Sequence, residues 1–462
     1  MPTTLRPPAD TAERERGRHA VAALAAAVVG FFVITLDATI VNVALPTIRD
    51  ELGGGMTGLQ WVVDGYTLMF AALLLSAGAL SDRIGARRAF GTGVVVFVAA
   101  SAACGLAPGL GILVAARFVQ GAGAAVVMPT TLALIREAYD DQARRARAVA
   151  VWASGGAAAA AAGPLVGGVL SELSWRLIFF INVPVGVVAL LLVARTRPSP
   201  HRRVPFDRAG QLAAVAGMGG LTYGVIEAGA EGFTAPRVIV ALAVAVLGLT
   251  GFLAVEARTA HPMVPLEMFR DRTMVIAVTV GFTFMIGFYG MPFVLSLYFQ
   301  QLRGLSPMAT GMAFLPMMAF SALLTPASSR LVRRIGRRAS ITGGLLLMAA
   351  GTMILAVLPP TAPLWAVAAL MVPVGLGGPL VMPPLTAHLL DNVPAHRAGV
   401  AGGILNTARQ IGGALAVAVF GALLAGHAGF LHGLRTSLFV TVAVLLSTIV
   451  VTPLLRRRHD TT

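Results

Sequence analysis

The chain contains no lysine: all 35 of its basic residues are arginine. A phosphate-binding loop ending in Gly-Lys-Ser/Thr therefore cannot exist in it, and neither can Schiff-base chemistry at a lysine amine. An ATP-driven pump built on this chain would need its ATPase on another subunit. Cysteine occurs once, as Cys104 inside an apolar run, which excludes an intrachain disulfide and reads as a small structural residue. Charge is scarce as well, at 12% of residues, against about 25% in ordinary soluble domains. The eight histidines are scattered, and none lies centrally in an apolar run beside clustered acids. No metal-ligand spacing and no nucleophile–base pair is evident, which speaks against a membrane-embedded enzyme and for the absence of metal and cofactor.

What the chain does have is apolar length. Of its 462 residues 57% are hydrophobic, and the mean hydropathy is +0.82. At 1.5 Å per residue a bilayer-crossing helix takes about 20 apolar residues. That rule predicts fourteen spans, near 20–45, 58–80, 89–107, 110–135, 147–171, 177–195, 209–228, 236–255, 273–299, 308–331, 339–358, 362–388, 398–425 and 434–455. The first 19 residues are polar and carry Arg6, Arg14, Arg16 and Arg18. The apolar run after them is a full span, so it reads as an uncleaved first helix and not as a signal peptide.

Arginine gives the orientation. On this layout 28 arginines fall on the side of the N-terminus, five on the other (Arg49, Arg176, Arg237, Arg303, Arg435), and Arg117 and Arg409 lie inside spans. Positive loops stay inside, which places both termini in the cytoplasm and favours an even number of spans. The net charge of +15 is thus a topology signal, not a nucleic-acid surface.

Two segments repeat. Gly121-Ala-Gly-Ala-Ala-Val-Val-Met-Pro129 returns as Gly375-Leu-Gly-Gly-Pro-Leu-Val-Met-Pro383, 254 residues on, and Arg83-Ile-Gly-Ala-Arg-Arg88 returns as Arg334-Ile-Gly-Arg-Arg-Ala339, 251 residues on. Near-equal offsets and equal orientation predict duplicated halves related by an axis along the membrane normal. The expected all-α organisation is a cytoplasmic tail 1–19, a six-helix half 20–195, a cytoplasmic linker 196–208, two inserted helices 209–255, a second six-helix half 273–455 and a cytoplasmic tail 456–462.

Several of these residues resemble the major facilitator superfamily, in particular its fourteen-helix drug:proton antiporters, over essentially the whole chain. Leu36-Asp-Ala-Thr-Ile-Val-Asn-Val-Ala-Leu-Pro46 resembles the first-helix motif of that group. Gly78-Ala-Leu-Ser-Asp-Arg-Ile-Gly-Ala-Arg-Arg88 resembles the loop motif between helices two and three, and Arg117-Phe-Val-Gln-Gly-Ala-Gly123 the fourth-helix motif. Gly155, Gly163-Pro164 and Gly167-Gly168 resemble the fifth-helix antiporter motif, and Trp175-Arg-Leu-Ile-Phe-Phe-Ile-Asn-Val-Pro184 is similar to a segment typical of the fourteen-helix group. Trp61-Val-Val-Asp-Gly-Tyr-Thr67 is similar to the second helix of quaternary-ammonium exporters and of methylenomycin-type antibiotic exporters. One departure is that helices nine to fourteen hold no acid within their apolar cores, unlike some cationic-drug exporters; this speaks against a dicationic substrate.

The resemblance implies a major facilitator fold in a bacterial plasma membrane. The implied activity is outward movement of a lipophilic compound, cationic ones included, against inward protons. Only Asp37 and Asp64 lie clearly within spans, where a carboxylate costs roughly 2.5–3.5 kcal/mol. Burial favours the neutral acid and so brings proton exchange within reach of working pH. Asp37 reads as the main proton site, or else as half of a structural pair. Its expected partner is Arg117, since both lie roughly 10–12 Å below the outer surface by helix rise. Protonation that releases Arg117 would be a switch; a permanent bridge is the alternative. Asp64 is either a second coupling acid that attracts cations or a snorkelling surface charge.

Arg409, in Asn406-Thr-Ala-Arg-Gln410, must face the bundle interior. It meets either substrate, together with Asn406 and Gln410, or structural hydrogen bonds with Gln410 and nearby carbonyls. Candidate cavity aromatics are Trp61, Tyr66, Trp152, Tyr289, Phe293 and Tyr298. The motif residues Gly78, Asp82, Arg83, Gly85, Arg87 and Arg88, with Glu137 as a partner for Arg83, would form a cytoplasmic gate. Asp82 would there cap the positive end of helix thirteen, unless the cluster only sets topology. The fifth-helix glycines permit close helix approach, and Pro164 removes a backbone donor. Other readings are a narrow-substrate exporter of a metabolite or self-resistance antibiotic, a proton-coupled uptake symporter and a non-transporting sensor. A monomer is expected, because one chain can enclose its own pathway.

Overall fold

The computed structural model describes residues 9–200, 207–394, 397–426 and 429–454. The expected tail 456–462, and parts of the tail 1–19 and of the linker 196–208, lie outside the described residues. The helices are α1 (Ala9–Leu52), α2 (Gly55–Ile84), α3 (Ala86–Gly105), α4 (Leu110–Ala138), α5 (Gln142–Leu173), α6 (Leu177–Phe180) and α7 (Asn182–Ala194). They continue as α8 (Arg208–Glu231), α9 (Pro236–Arg258), α10 (Arg272–Leu297), α11 (Pro307–Ile335), α12 (Arg337–Val357), α13 (Leu364–Asp391), α14 (Ala398–Ala425) and α15 (Phe430–Val451). Helices α6 and α7 together make one span, Leu177–Ala194, so the described residues contain 14 helices able to cross a membrane. Several helices outrun the apolar segments that predicted them. The first is the extreme case, 44 residues long with Pro46 inside it, because helical hydrogen bonding continues through polar residues beyond the apolar core.

Local chemistry sets the ends. Asp141, Asp207, Asp271 and Ser306 cap α5, α8, α10 and α11, each side chain accepting a backbone N–H of the first turn. Gly85 ends α2 at φ +87° and Gly336 ends α11 at φ +85°. These equivalent positions of the repeat require a backbone angle that glycine alone adopts freely.

The repeat reappears in the packing. Helix α4 lies against α2 and α3, and α13 against α11 and α12. A Cβ on Gly121 would meet the Tyr66 carbonyl oxygen at 2.3 Å, and one on Gly375 would meet the Met317 carbonyl oxygen at the same 2.3 Å. Likewise α1 packs on α5 and α7, and α10 on α14 and α15. The two sets of helices meet along α5–α11 and α2–α14, and these seams are again equivalents. Gly311 of α11 faces the Pro164 carbonyl of α5, while Gln60 of α2 faces Gly421 of α14. The inserted α8–α9 hairpin packs α8 against α2 and α14.

The hydrogen bonds between the two six-helix sets lie at one end of the bundle. Gln60 Nε2 donates to the Ala418 carbonyl at 2.7 Å, Ser296 Oγ to the Asn42 carbonyl at 2.7 Å, and Gln300 Nε2 to the Val43 carbonyl at 2.9 Å. At the other end, where the basic loops lie, Cβ atoms on Gly78, Gly399 and Gly402 would meet nothing within 4 Å, while one on Gly403 of α14 would meet Leu75 Cδ2 of α2 at 3.1 Å. The two bundles are hydrogen-bonded to each other at the arginine-poor face, and among the described residues no hydrogen bond joins them at the arginine-rich face.

Candidate functional site

A buried polar network crosses α1, α2, α3, α4 and α7 within the apolar N-terminal bundle. At its centre Arg117 Nη1 donates to Asp37 Oδ2 at 2.6 Å, with 1% and 0% of these side chains exposed. Arg117 also donates from Nε to the Val62 carbonyl at 2.9 Å and from Nη1 to Gln120 Oε1 at 2.8 Å. Its guanidinium carbon lies 4.4 Å from the centre of the Tyr66 ring, a cation–π stack in a desolvated setting. The second carboxylate oxygen, Asp37 Oδ1, accepts from Gln120 Nε2 at 2.7 Å and Asn182 Nδ2 at 2.8 Å. Asn182 Nδ2 also donates to Ser101 Oγ at 3.0 Å, and that hydroxyl donates to the Phe179 carbonyl at 2.8 Å. Two opposite charges that would be prohibitive singly are thus paired and further hydrogen-bonded, the condition under which a buried ion pair persists.

The structure therefore brings Asp37 and Arg117 together. The sequence reading missed Gln120, Asn182 and Ser101. A signal existed for two of them. Gln120 stands three residues after Arg117, on the same helix face, and Asn182 is the one polar side chain in the span Leu177–Ala194.

Asp64 is fully buried, which corrects the expectation of a snorkelling charge. Thr67 Oγ1 donates to its Oδ1 at 3.2 Å, and its Oδ2 has no partner among the described residues. On the same face of α2, Gln60 and Leu75 touch α14, so Asp64 is oriented to the α2–α14 seam by helical spacing.

The candidate aromatics scatter. Tyr66 is wholly buried beneath Arg117 and donates its hydroxyl to the Ile34 carbonyl at 3.3 Å, so it belongs to the polar network and not to a cavity wall. Phe293 is fully buried. Tyr298 is buried near the closed face, its hydroxyl bonded to the Pro360 carbonyl and Arg303. Trp61 packs between Phe118 of α4 and Tyr223 of α8. Tyr66, Phe293 and Tyr298 correct the expectation of a common cavity, because neighbouring helices bury them, whereas Trp61 is half-buried. Trp152 remains half-buried, stacked on Phe31 at 4.2 Å, its indole N–H on Thr131 Oγ1. Tyr289 is also half-buried and packs against the cores of both bundles. On α14, Asn406, Arg409 and Gln410 are partly exposed. Arg409 Nη1 donates to Asn406 Oδ1 at 3.0 Å, not to Gln410 as the structural alternative had it, and its Nε has no partner among the described residues.

In the loop motif, Arg87 donates from Nη2 to the Ala194 carbonyl at 2.7 Å and from its backbone N–H to Ser199 Oγ at 2.9 Å; Ser199 Oγ donates to Glu137 Oε2. Arg88 lies exposed at the start of α3. Asp82 and Arg83 are exposed and form no ion pair with a described residue. The expected Arg83–Glu137 pair, between α2 and α4 of one bundle, is not made, and Glu137 accepts from Ser199 instead; no hydrogen bond or ion pair among the described residues joins Asp82 to α14.

The antiporter-motif glycines are contact residues. Cβ atoms on Gly155 and Gly163 would strike Val28 and Thr39 of α1, one on Gly167 the Ile40 carbonyl at 2.7 Å, and one on Gly168 the Pro307 carbonyl of α11 at 2.6 Å. Pro164 supplies the carbonyl that Gly311 approaches.

Comparison with known proteins agrees with this architecture. The sequence profile of the Major Facilitator Superfamily matches residues 27–417. The chain is 38% identical to the multidrug resistance protein Stp of Mycobacterium tuberculosis over 402 residues, 86% of this chain and 74% of that protein. It is 36% identical to the methylenomycin A resistance protein of Streptomyces coelicolor over 420 residues, 90% of this chain and 88% of the relative. It is 35% identical to the cephamycin export protein CmcT of Amycolatopsis lactamdurans over 478 residues, 98% and 96% of the two chains. In three dimensions it is similar to a crystal structure of a mutant peptide transporter POT in complex with alafosfalin, with a TM-score of 0.69 at 16% identity, covering 95% of this chain and 98% of that one. With 14 membrane-crossing helices, a duplicated bundle architecture and relatives of this kind, the chain belongs to the major facilitator superfamily.

Proposed function

We propose that the protein is a proton-coupled antiporter that exports lipophilic drugs or antibiotics, cationic ones included, from the bacterial cytoplasm. The observation that carries this reading is the fully buried Asp37–Arg117 pair, with Gln120 and Asn182 completing the shell of Asp37. A carboxylate so enclosed exchanges its charge for a proton only if its donors rearrange, so its protonation is tied to helix positions. Inward movement of one proton charge supplies about 2.3 kcal/mol per 100 mV of membrane potential. Asp64, buried without a cation at the α2–α14 seam, is the second acid available for coupling or for a cationic substrate.

On this reading residues 20–195 and 273–455 rock against each other, with the inserted pair 209–255 riding beside the α2–α14 seam. Both termini are cytoplasmic, so the arginine-rich open face is the face that admits substrate from inside. Trp61, Trp152, Tyr289, Asn406, Arg409 and Gln410 are partly exposed and are the residues retained as substrate contacts. Asp82 and Arg83 would close the gate in the opposite conformation. The names of the relatives favour drugs and antibiotics as the substrate class; a single narrow self-resistance substrate is the second reading, favoured by the absence of acids in the cores of the last six spans.

The test uses energised everted vesicles containing the wild type or Asp37→Asn, a panel of lipophilic cations and neutral antibiotics, and a pH-sensitive dye. Substrate-induced proton release in the wild type that disappears in Asp37→Asn is the expected result. Equal responses from the two proteins would remove Asp37 as the coupling residue.

A further inference from the structure

We infer that Asn182 is the positioning residue that reads the protonation state of Asp37, through a side-chain amide that can turn from donor to acceptor. The inference deepens the reading of Asp37 as the proton site and rests on it. A carboxylate only accepts hydrogen bonds, whereas a carboxylic acid must also donate one. Three side chains contact Asp37. Arg117 is a donor in every state. Gln120 has its acceptor committed, since Oε1 receives Arg117 Nη1 at 2.8 Å and Cys104 Sγ at 3.6 Å. Asn182 alone holds an acceptor in reserve: its Oδ1 is buried and has no partner among the described residues.

A half-turn of the Asn182 amide places Oδ1 where Nδ2 now stands. There it accepts the O–H that a proton creates on Asp37 Oδ1. The Ser101 hydroxyl, now donating to the Phe179 carbonyl at 2.8 Å, can rotate to donate to the same oxygen. One proton is taken up as an O–H bond on Asp37, no other covalent bond forms or breaks, and the ties among α1, α3 and the α6–α7 joint are rewritten. Asn182 opens α7 directly after the break at Ile181, a position where a change in hydrogen bonding meets a helix end and not a helix interior. The other titratable groups facing Asp37 are Tyr66 of α2, Cys104 of α3 and Tyr289 of α10, and none is hydrogen-bonded to it. Helices α5, α6 and α11, which also pack on α1, place no side chain in hydrogen bond with it.

The experiment is an infrared titration of the full-length protein in lipid nanodiscs, following the carboxylic C=O band that is absent in Asp37→Asn. Asn182→Leu removes a donor to the charged carboxylate. It should move the midpoint of this band to higher pH by about one to two units, a tenfold or greater gain in proton affinity. Asn182→Asp, which keeps the shape of the side chain but replaces the donor by an acceptor, should move it in the same direction and serves if the leucine variant does not fold. Ser101→Ala should leave Asp37 titrating at a pH between those of the wild type and Asn182→Leu. An Asp37 band in Asn182→Leu or Asn182→Asp that titrates within a few tenths of a unit of the wild type would overturn the inference. Equal dye responses from the wild type and Asp37→Asn would instead overturn the reading of Asp37 as the coupling residue, and the band is measured without transport, so the two fail separately.

Discussion

Replacing Gly311 by alanine should open the closed face of the molecule. The methyl group would stand 2.3 Å from the Pro164 carbonyl oxygen, 3.1 Å from its carbon and 3.3 Å from Leu165 Cα. All three are backbone atoms of α5, so no side chain can turn aside. Helices α5 and α11 must separate by roughly 1 Å to restore a normal contact. Overpacking of this kind costs about 1–3 kcal/mol, and only the conformation that makes the contact bears the cost. The closed-face population should therefore fall relative to its alternative by roughly 5- to 150-fold. The reporter is Thr310→Cys, a fully buried neighbour of this contact, in a Cys104→Ser background that leaves no other thiol. Labelling by a membrane-impermeant maleimide, in intact cells and in everted vesicles, should become faster with Gly311→Ala, from the arginine-poor side only. An unchanged labelling rate in folded protein would show that the seam absorbs a methyl group without opening, and the reasoning from backbone contact would be wrong.

Two further outcomes follow from the buried charges. Arg117→Ala leaves Asp37 buried without its cation and should lower stability by about 3–5 kcal/mol; the double variant Asp37→Asn/Arg117→Gln should melt closer to the wild type, and equal melting of the single and double variants would deny the pair its role. Asp64→Asn removes a buried carboxylate that has no cation partner, so it should melt at or above the wild-type temperature at neutral pH while losing transport of cationic substrates; a large drop in melting temperature would mean that the carboxylate has a structural role instead.

The site was legible in part. Helix rise alone put Asp37 and Arg117 at one depth, and the structure places them 2.6 Å apart. Depth says nothing about rotation, however, and this is where the aromatic expectations failed. Tyr66, Phe293 and Tyr298 are buried beneath neighbouring helices, while Trp61, Trp152 and Tyr289 are half-buried. Gln120 was within reach of a one-turn argument from Arg117, and Asn182 within reach of asking why an otherwise apolar span carries one amide. Ser101 was not, since nothing in a serine within an apolar run says which helix it will face.

The sequence by itself determined the membrane class, the count of 14 spans and the duplication, because apolar length and repeated spacing are properties of the chain read in one dimension. It also limited the in-span charges to a few residues, since each such charge costs free energy that composition alone makes visible. Only the tertiary structure decided which face of the molecule is closed. It also decided that Asp64 is enclosed, that Asp82 and Arg83 are exposed, and that Asn182, which donates to Asp37, has an orphaned amide oxygen. These depend on how two similar bundles rest against each other. That choice turns on contacts between residues hundreds of positions apart, such as Gly311 with Pro164 and Gln60 with Gly421, and no local pattern encodes which of them are made at a given moment.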